Sequence, residues 1–369
     1  MSKGSLIYNC FRKGFAVATP FLLYLVFSTS GCGTKQEFSG TELVVAPDDF
    51  EVFENSFEVS PKSVNLERED VSFKAEFNHR VSWRIRLKGL TSGAEKMIKG
   101  VDDHINADLV RWDGGHDELY FFKKDENVAV ELSFMGSKLV KRDTIKISAA
   151  KLFSPPGTRS SIMLSNDDNR NSREGFEGIF NFNSATWTFG PYPDPGEQIF
   201  FGQDKMERDN HPPVQGEFAL TLHGNDRNDD YFVTGIKRAL TNQEIERMPS
   251  DPDSVYINIY IYGRGHAATK MNVSCEEADD GGSEHIENKH DAWEHQLSFD
   301  HRGWKLFSIR YSDLTRSANP DYGGNGNGRR EPQYLRGVGF NLVSSPPGNE
   351  VKATFDFPII TFGKPFNPK

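Results

Sequence analysis

With 53 acidic against 43 basic side chains in 369 residues, the chain carries a formal net charge of -10. That balance argues against nucleic acid as a partner, because phosphate binding needs clustered Lys and Arg, and three cysteines are too few for a disulfide framework. Abundant Gly (33), Pro (19) and Phe (29), with almost no apolar stripe of helical period, predict an all-β chain rich in turns.

In chain order, Lys3, Arg12 and Lys13 come first, followed by an uncharged apolar run from Phe15 to Phe27. A bilayer-spanning helix needs roughly 20 residues, so this shorter run reads as the apolar heart of a secretory signal over residues 1–31. Ser28-Thr29-Ser30-Gly31 followed by Cys32 resembles the lipobox of bacterial lipoproteins, with Thr29 departing from the usual leucine. The resemblance implies cleavage before Cys32, acylation of that cysteine with palmitate-type lipid, and a lipid-anchored place on the outer membrane, facing the cell surface. It also implies outer-membrane proteins as partners. A plain signal peptide and a membrane anchor are the competing readings. Residues 32–50 read as a tether, and Lys35-Gln36-Glu37 resembles the charged sorting signals of Bacteroidota lipoproteins. Cys275, the one remaining thiol, alternates with Met271 and Val273 and reads as a small buried hydrophobe.

Residues 51–153 show period-two alternation. Val71, Phe73, Ala75 and Phe77 make one set and Val81, Trp83, Ile85 and Leu87 another; Val128, Val130, Leu132 and Phe134 make a third, and Ile145 and Ile147 a fourth. About seven short strands in about 100 residues suit an immunoglobulin-like sandwich, with Trp83 and Trp112 in its packing. No cysteine pair bridges such a sandwich here, so another small β-sandwich fits equally well. Pro155, Pro156 and Gly157 mark a linker over residues 154–157.

Residues 158–369 form the larger predicted domain. Strands are expected at Phe218–Leu222, Val255–Tyr262, Lys270–Cys275, Trp304–Tyr311, Val338–Val343 and Lys352–Phe362. One short helix is expected at Thr241–Met248, where Thr241 and Glu244 have capping-box spacing. Four stretches, in order, resemble the galactose-binding-like jelly rolls, closest to family-11 carbohydrate-binding modules. They are Gln215–Leu222, Asp251–Asp253 running into VYINIYIYG, Gly303–Ile309 with Asp313-Leu314, and Leu335–Leu342 with Phe355–Ile360. The resemblance implies a β jelly roll that binds glycan.

Along Val255–Tyr262, the residues Val255, Ile257, Ile259 and Ile261 share one face and Tyr256, Asn258, Tyr260 and Tyr262 the other. Tyrosine offers a ring for the C–H face of a sugar and a hydroxyl for its polar groups. Thr221, His223, Asn272, Ser274, Glu276, Ser308, Arg310 and Asn341 would extend that face if their strands are neighbours. The expected ligand set is Tyr256, Asn258, Tyr260, Tyr262, Arg310, Glu276 and Asn341. The competing reading packs the tyrosines under a loop or against the first domain.

Related jelly rolls tie their first and last strands together with Ca²⁺, a cation that takes oxygen ligands. That makes Asp167, Asp168 and Asp356 candidate ligands for a structural calcium, with 225–230 as a rival acidic loop. His285, His290, His295 and His301 match no compact zinc spacing and read as a solvated loop. Trp187, Tyr192 and Trp293 read as loop caps, and Trp304 as core. No G-x-S-x-G, H-E-x-x-H or P-loop pattern occurs; the expectation is a protein that is not an enzyme, with a hydrolase as a third reading. The functional expectation is non-catalytic glycan binding that supports polysaccharide capture at the surface. The rival class is a structural or adhesive protein whose jelly roll docks onto another protein.

Overall fold

The computed structural model describes residues 43–154, 159–164, 187–190, 200–204, 213–215, 219–225, 232–278, 290–317, 326–346 and 349–368. The signal segment, Cys32, most of the tether, Pro155–Gly157, Asp167, Asp168 and Tyr192 lie outside them. No helix among the described residues is long and apolar enough to cross a membrane. The protein is nearly all β and built on β-sandwich sheets. Residues 42–369 cluster as one compact unit.

The first sandwich holds β1 (Glu58–Ser60), β2 (Ser63–Asn65), β3 (Val71–Gly89), β4 (Glu95–Ile105), β5 (Arg111–Trp112), β6 (Asn127–Phe134) and β7 (Val140–Ala149). The two alternating runs expected as separate strands are one long strand, β3, which pairs with β1 and β5 early and with β4 and β6 later. The pairing with β4 shifts register between Glu76 and Val81, where the strand passes from one layer to the next. Both runs stay buried because the shift preserves which parity faces inward, and Trp83 and Trp112 lie in the core. A Cβ on Gly100 would collide with the Trp83 ring, so glycine is what lets the indole lie across β4. Glu126, buried and unforeseen, accepts the Ser92 N–H at 3.0 Å and the Thr91 N–H at 3.2 Å, fixing the turn after β3.

The second sandwich begins with β8 (Ser161–Met163), β9 (Trp187–Gly190), β10 (Phe200–Asp204), β11 (Ala219–Asn225) and β12 (Phe232–Ala239). A helical turn, α1 (Asn242–Ile245), follows with the expected Thr241–Glu244 capping box in place. Then come β13 (Val255–Arg264), β14 (Thr269–Ala278), β15 (His290–Ser298), β16 (Arg302–Arg310), β17 (Thr315–Arg316), β18 (Leu335–Ser344) and β19 (Glu350–Phe362). One antiparallel sheet runs β10-β11-β19-β13-β16, with β8 added on β19, and the other runs β17-β15-β14-β18-β12-β9. Ile257, Ile259, Ile261, Ala353 and Phe355 of the first sheet face Met271, Val273, Cys275, Val338, Phe340 and Leu342 of the second. The Phe340 and Phe355 rings meet at 5.5 Å. Cys275 is fully buried here, and burial raises its thiol pKa well above the usual value.

The segment around His290 and His295, expected as a solvated loop, is strand β15. Its core face carries Trp293 and Leu297, both buried, so Trp293 packs inside rather than capping a loop. At the far end of this strand, Glu277 and Asp291 stand opposite each other in register, both buried. Glu277 Oε1 accepts the Tyr311 hydroxyl and the Glu331 N–H, each at 2.7 Å. Asp291 accepts Arg316 at 2.8 Å and the Gly328 N–H at 2.7 Å. Burial outweighs the hydrogen bonds that favour the Glu277 carboxylate and pushes its pKa up to about 7.

Candidate functional site

The residues expected on one face divide between two sheets. Tyr256, Asn258, Tyr260, Tyr262, Ser308 and Arg310 lie on β13 and β16, while Asn272, Ser274, Glu276 and Asn341 lie on β14 and β18. In a jelly roll the chain passes between sheets, and here β13 and β14, separated by a short turn, fall on opposite sides of the core. Alternation along each strand was therefore right, and the condition that the strands are neighbours holds for β13 and β16, which pair directly, but not for β14 and β18.

The tyrosine row points away from the jelly-roll core toward the first sandwich. Tyr260 is 4% exposed and packs near Phe121, whose ring lies 6.0 Å away. Phe121 comes from the loop between β5 and β6 and sits among Phe357 at 4.7 Å, Phe153 at 5.0 Å and His116 at 4.2 Å. Phe357 reaches this cluster from a bulge in β19, with φ of 50°, where the pairing with β13 shifts between Asn258 and Tyr260. Burial, with the Asp356 charge second, raises the Tyr260 phenol well above its usual value. Tyr262 is also buried and meets the half-buried Trp304 edge-on at 5.5 Å, with the Arg264 guanidinium 5.1 Å from its ring centre. Tyr256 is the more open member, with Arg310 5.7 Å over its ring. The competing reading of the row, that it packs against the first domain, describes Tyr260.

Asn258 is fully buried and spends its amide on the fold. Its Nδ2 donates to the Ile359 carbonyl at 3.1 Å and to Thr361 Oγ1 at 3.0 Å, and its Oδ1 accepts the Phe366 N–H at 2.9 Å. It thereby holds down the segment after β19, whose Pro368 carbonyl accepts the His116 N–H at 3.3 Å. That segment therefore bonds to both sandwiches. His116 is buried beside Phe121, with Nδ1 2.8 Å from the Glu118 carbonyl, and desolvation lowers its pKa to about 4.

Asp356 is buried as well, under the same contact. Its carboxylate accepts the Gln215 N–H at 2.9 Å and backbone N–H bonds from Phe357 and Val214, while desolvation raises its pKa to about 7. Asp356 thus accepts three backbone donors, while Asp167 and Asp168, expected with it at a structural calcium, lie outside the described residues. Among the described residues, Asp102, Asp103 and His104 on exposed β4 do group their ligand atoms within 4.8 Å, far in sequence from the expected set.

The second sheet carries a different surface. Its core-facing residues alternate with a polar set that registers across the strands. One row reads Gln296, Asn272, Asn341 and Gly235 on β15, β14, β18 and β12. The next reads Glu294, Ser274, Gly339 and Lys237, and a third pairs Glu276 with Gly337. The three glycines have a shared effect. Side chains added at Gly235, Gly339 and Gly337 would collide with those of Asn341, Ser274 and Lys237 respectively, which lie over them. Among the described residues, the result is a low floor of amides, a hydroxyl and an ion pair. Asn341 Nδ2 donates to Ser274 Oγ at 3.2 Å, Gln296 Nε2 donates to Asn272 Oδ1 at 3.1 Å, and Lys237 pairs with Glu276. Gln296 is exposed, Ser274, Lys237 and Asn341 are half-buried, and Asn272 and Glu276 are buried. The sequence signal for this face was glycine alternating with Val338 and Phe340 along β18, which marks a strand with one packed face and one bare one.

Fold and surface together define an all-β protein of the β-sandwich class, with a polar, glycine-floored sheet face. No family model matches the chain, and no curated protein matches it. Among solved structures, the family 11 carbohydrate-binding module from Clostridium thermocellum in complex with a β-1,3-1,4-mixed-linked tetrasaccharide is similar over 48% of this chain and 89% of its own, at 16% identity and a TM-score of 0.34. The family 11 module of the cellulosomal cellulase Lic26A-Cel5E of the same organism is similar over 55% and 95%, at 16% identity and a TM-score of 0.36. The C-terminal family 22 module of Clostridium thermocellum Xyn10B is similar over 53% and 99%, at 11% identity and a TM-score of 0.28. At these scores the likeness carries no argument about a ligand.

Proposed function

We propose that this protein is a lipid-anchored surface protein that binds glycan without catalysis, through the polar face of the β17-β15-β14-β18-β12-β9 sheet, and so supports polysaccharide capture. The observation that carries the reading is the registered set of Asn272, Ser274, Glu276, Asn341, Gln296 and Lys237 lying on Gly235, Gly337 and Gly339. Sugar hydroxyls both donate and accept, and this face offers both kinds of partner. Neighbouring strands lie about 4.8 Å apart, so the Gln296–Asn272–Asn341 row repeats polar groups at a spacing suited to a chain of hydroxyl-bearing rings. The side chains already bond to one another, which holds them in place before a ligand arrives and reduces the ordering cost of binding. The lipid anchor rests on Cys32 and its preceding small residues.

The test is affinity gel electrophoresis over a panel of soluble polysaccharides. The parent chain should be retarded by at least one of them, and Asn272→Ala with Asn341→Ala should abolish the retardation while circular dichroism shows the all-β fold retained. Equal retardation of parent and variant, or none by any polysaccharide for the parent, would overturn the reading.

A further inference from the structure

Three of the exposed large apolar side chains of the first sandwich gather where the tether enters it. Leu43 is 70% exposed, Val45 56% and Met135 38%. Residues 43–46 are bonded into the sandwich edge. Val44 N donates to Ser82 Oγ at 2.8 Å, Ser82 N donates to the Val44 carbonyl at 2.9 Å, and Ala46 N donates to the Met135 carbonyl at 2.8 Å. Because side chains alternate along an extended segment, Val44 and Ala46 turn inward, half-buried, and Leu43 and Val45 turn out together. Val45 lies against Gly136, whose φ of 81° makes the tight turn after β6, and a side chain there would strike it. The turn thus brings Met135 beside Val45 as one apolar patch, with the exposed Lys138 close behind in the same turn.

We infer that this patch is a membrane-docking face, seated on the bilayer surface to which the tether leads. The inference rests on the anchor reading of Cys32. Its argument is reach: Leu43 is eleven residues from Cys32, and at about 3.3–3.6 Å per residue the chain spans at most ~40 Å. A domain held that close samples the surface continuously, and the part it presents first is the part where its tether enters. That part is apolar, where chance would place polar groups in a chain this acidic. Leu43, Val45 and Met135 can enter the headgroup–acyl boundary while the Lys138 ammonium stays among lipid phosphates. A patch of three side chains is too small to hold a free protein on a membrane, but a tether supplies the missing concentration.

The test uses the chain from residue 32 onward, coupled through the Cys32 thiol to maleimide-bearing lipid in phosphatidylethanolamine–phosphatidylglycerol vesicles. Cys275 is fully buried and does not compete for coupling. Hydrogen–deuterium exchange compares coupled and free protein. Amides of 136–138 and of Leu43 and Val45 should exchange roughly threefold or more slowly on vesicles. The turn at 89–93, at the opposite end of β6, should be unchanged. The variant Leu43→Ser, Val45→Ser, Met135→Ser should lose the protection while remaining coupled. No slowing at 136–138, equal slowing at 89–93, or slowing that survives the triple substitution would each overturn the docking face. Mass spectrometry of the Cys32 peptide from exported protein tests the anchor separately, since chemical coupling does not depend on it.

Discussion

Phe121→Ala is the substitution that most directly tests how the two sandwiches are held. Phe121 is 2% exposed and lies within ring contact of His116, Phe153, Tyr260, Phe357 and Phe366. A buried phenylalanine removes ~150–250 Å² from water, which at ~25 cal/mol/Å² amounts to ~4–6 kcal/mol, of which alanine keeps a part. With the cavity left behind, the expected cost is about 3–5 kcal/mol. The loss falls on the contact between sandwiches and leaves each separate core intact. Urea unfolding followed by tryptophan fluorescence should therefore show two transitions in the variant where the parent shows one. The first should involve the jelly roll or the first sandwich alone. A loss below about 1 kcal/mol, with a single transition retained, would refute the reasoning and mean that the aromatic cluster is a bystander. Glycan retention should survive the substitution, because the polar face lies on the other sheet.

Two further outcomes follow from particular residues. Gly339→Val should weaken glycan retention roughly tenfold or more with little change in unfolding midpoint, because the new side chain displaces Ser274 and raises the floor; affinity gels beside thermal melts check both halves. Glu277→Gln should change how stability varies with pH. The Glu277 pKa is about 7 in the fold against an ordinary 4.5. Between those values the folded state binds more protons than the unfolded one, so the parent gains stability as pH falls from above 7 toward 4.5. The variant lacks that gain. The parent-minus-variant stability difference, measured by urea unfolding across that window, should grow in the parent's favour by up to about 3 kcal/mol at the acid end. A flat difference would show that Glu277 titrates normally. His116 works in the opposite sense, since its pKa near 4 lies below the ordinary 6.5 and its contribution is lost as pH falls through that interval.

Much of the architecture was legible because it depends on local pattern. Val255, Ile257, Ile259 and Ile261 face the core as their alternation predicts, and the Thr241–Glu244 cap forms where its spacing placed it. β4 was missed because Glu95–Ile105 carries charge on both parities and lies at the edge of its sheet, where pairing rather than burial defines the strand. β15 was misread because its histidines and glutamate masked Trp293 and Leu297 on the inward parity. The tyrosine row failed for a different reason. Which face of β13 is polar could be read locally, but what covers Tyr260 is Phe121, about 140 residues earlier in the chain. Glu276 and Asn341 were expected beside the tyrosines only on the condition that their strands neighbour β13; they lie on the opposite sheet, and only their alternation with core residues was read correctly.

The position of β19 has a consequence for how the protein comes into being. Its 13 residues lie between β11 and β13, so they form the spine of the first jelly-roll sheet although the ribosome makes them after both neighbours. Until they arrive, β11 and β13 present open edges with no strand to pair with, and the hydrophobic sides of that sheet have no shape to close around. A chain so ordered keeps that sheet unfinished until β19 is made. Mutations that slow delivery of this late strand would therefore lower yield through aggregation before they changed anything measurable in the finished molecule.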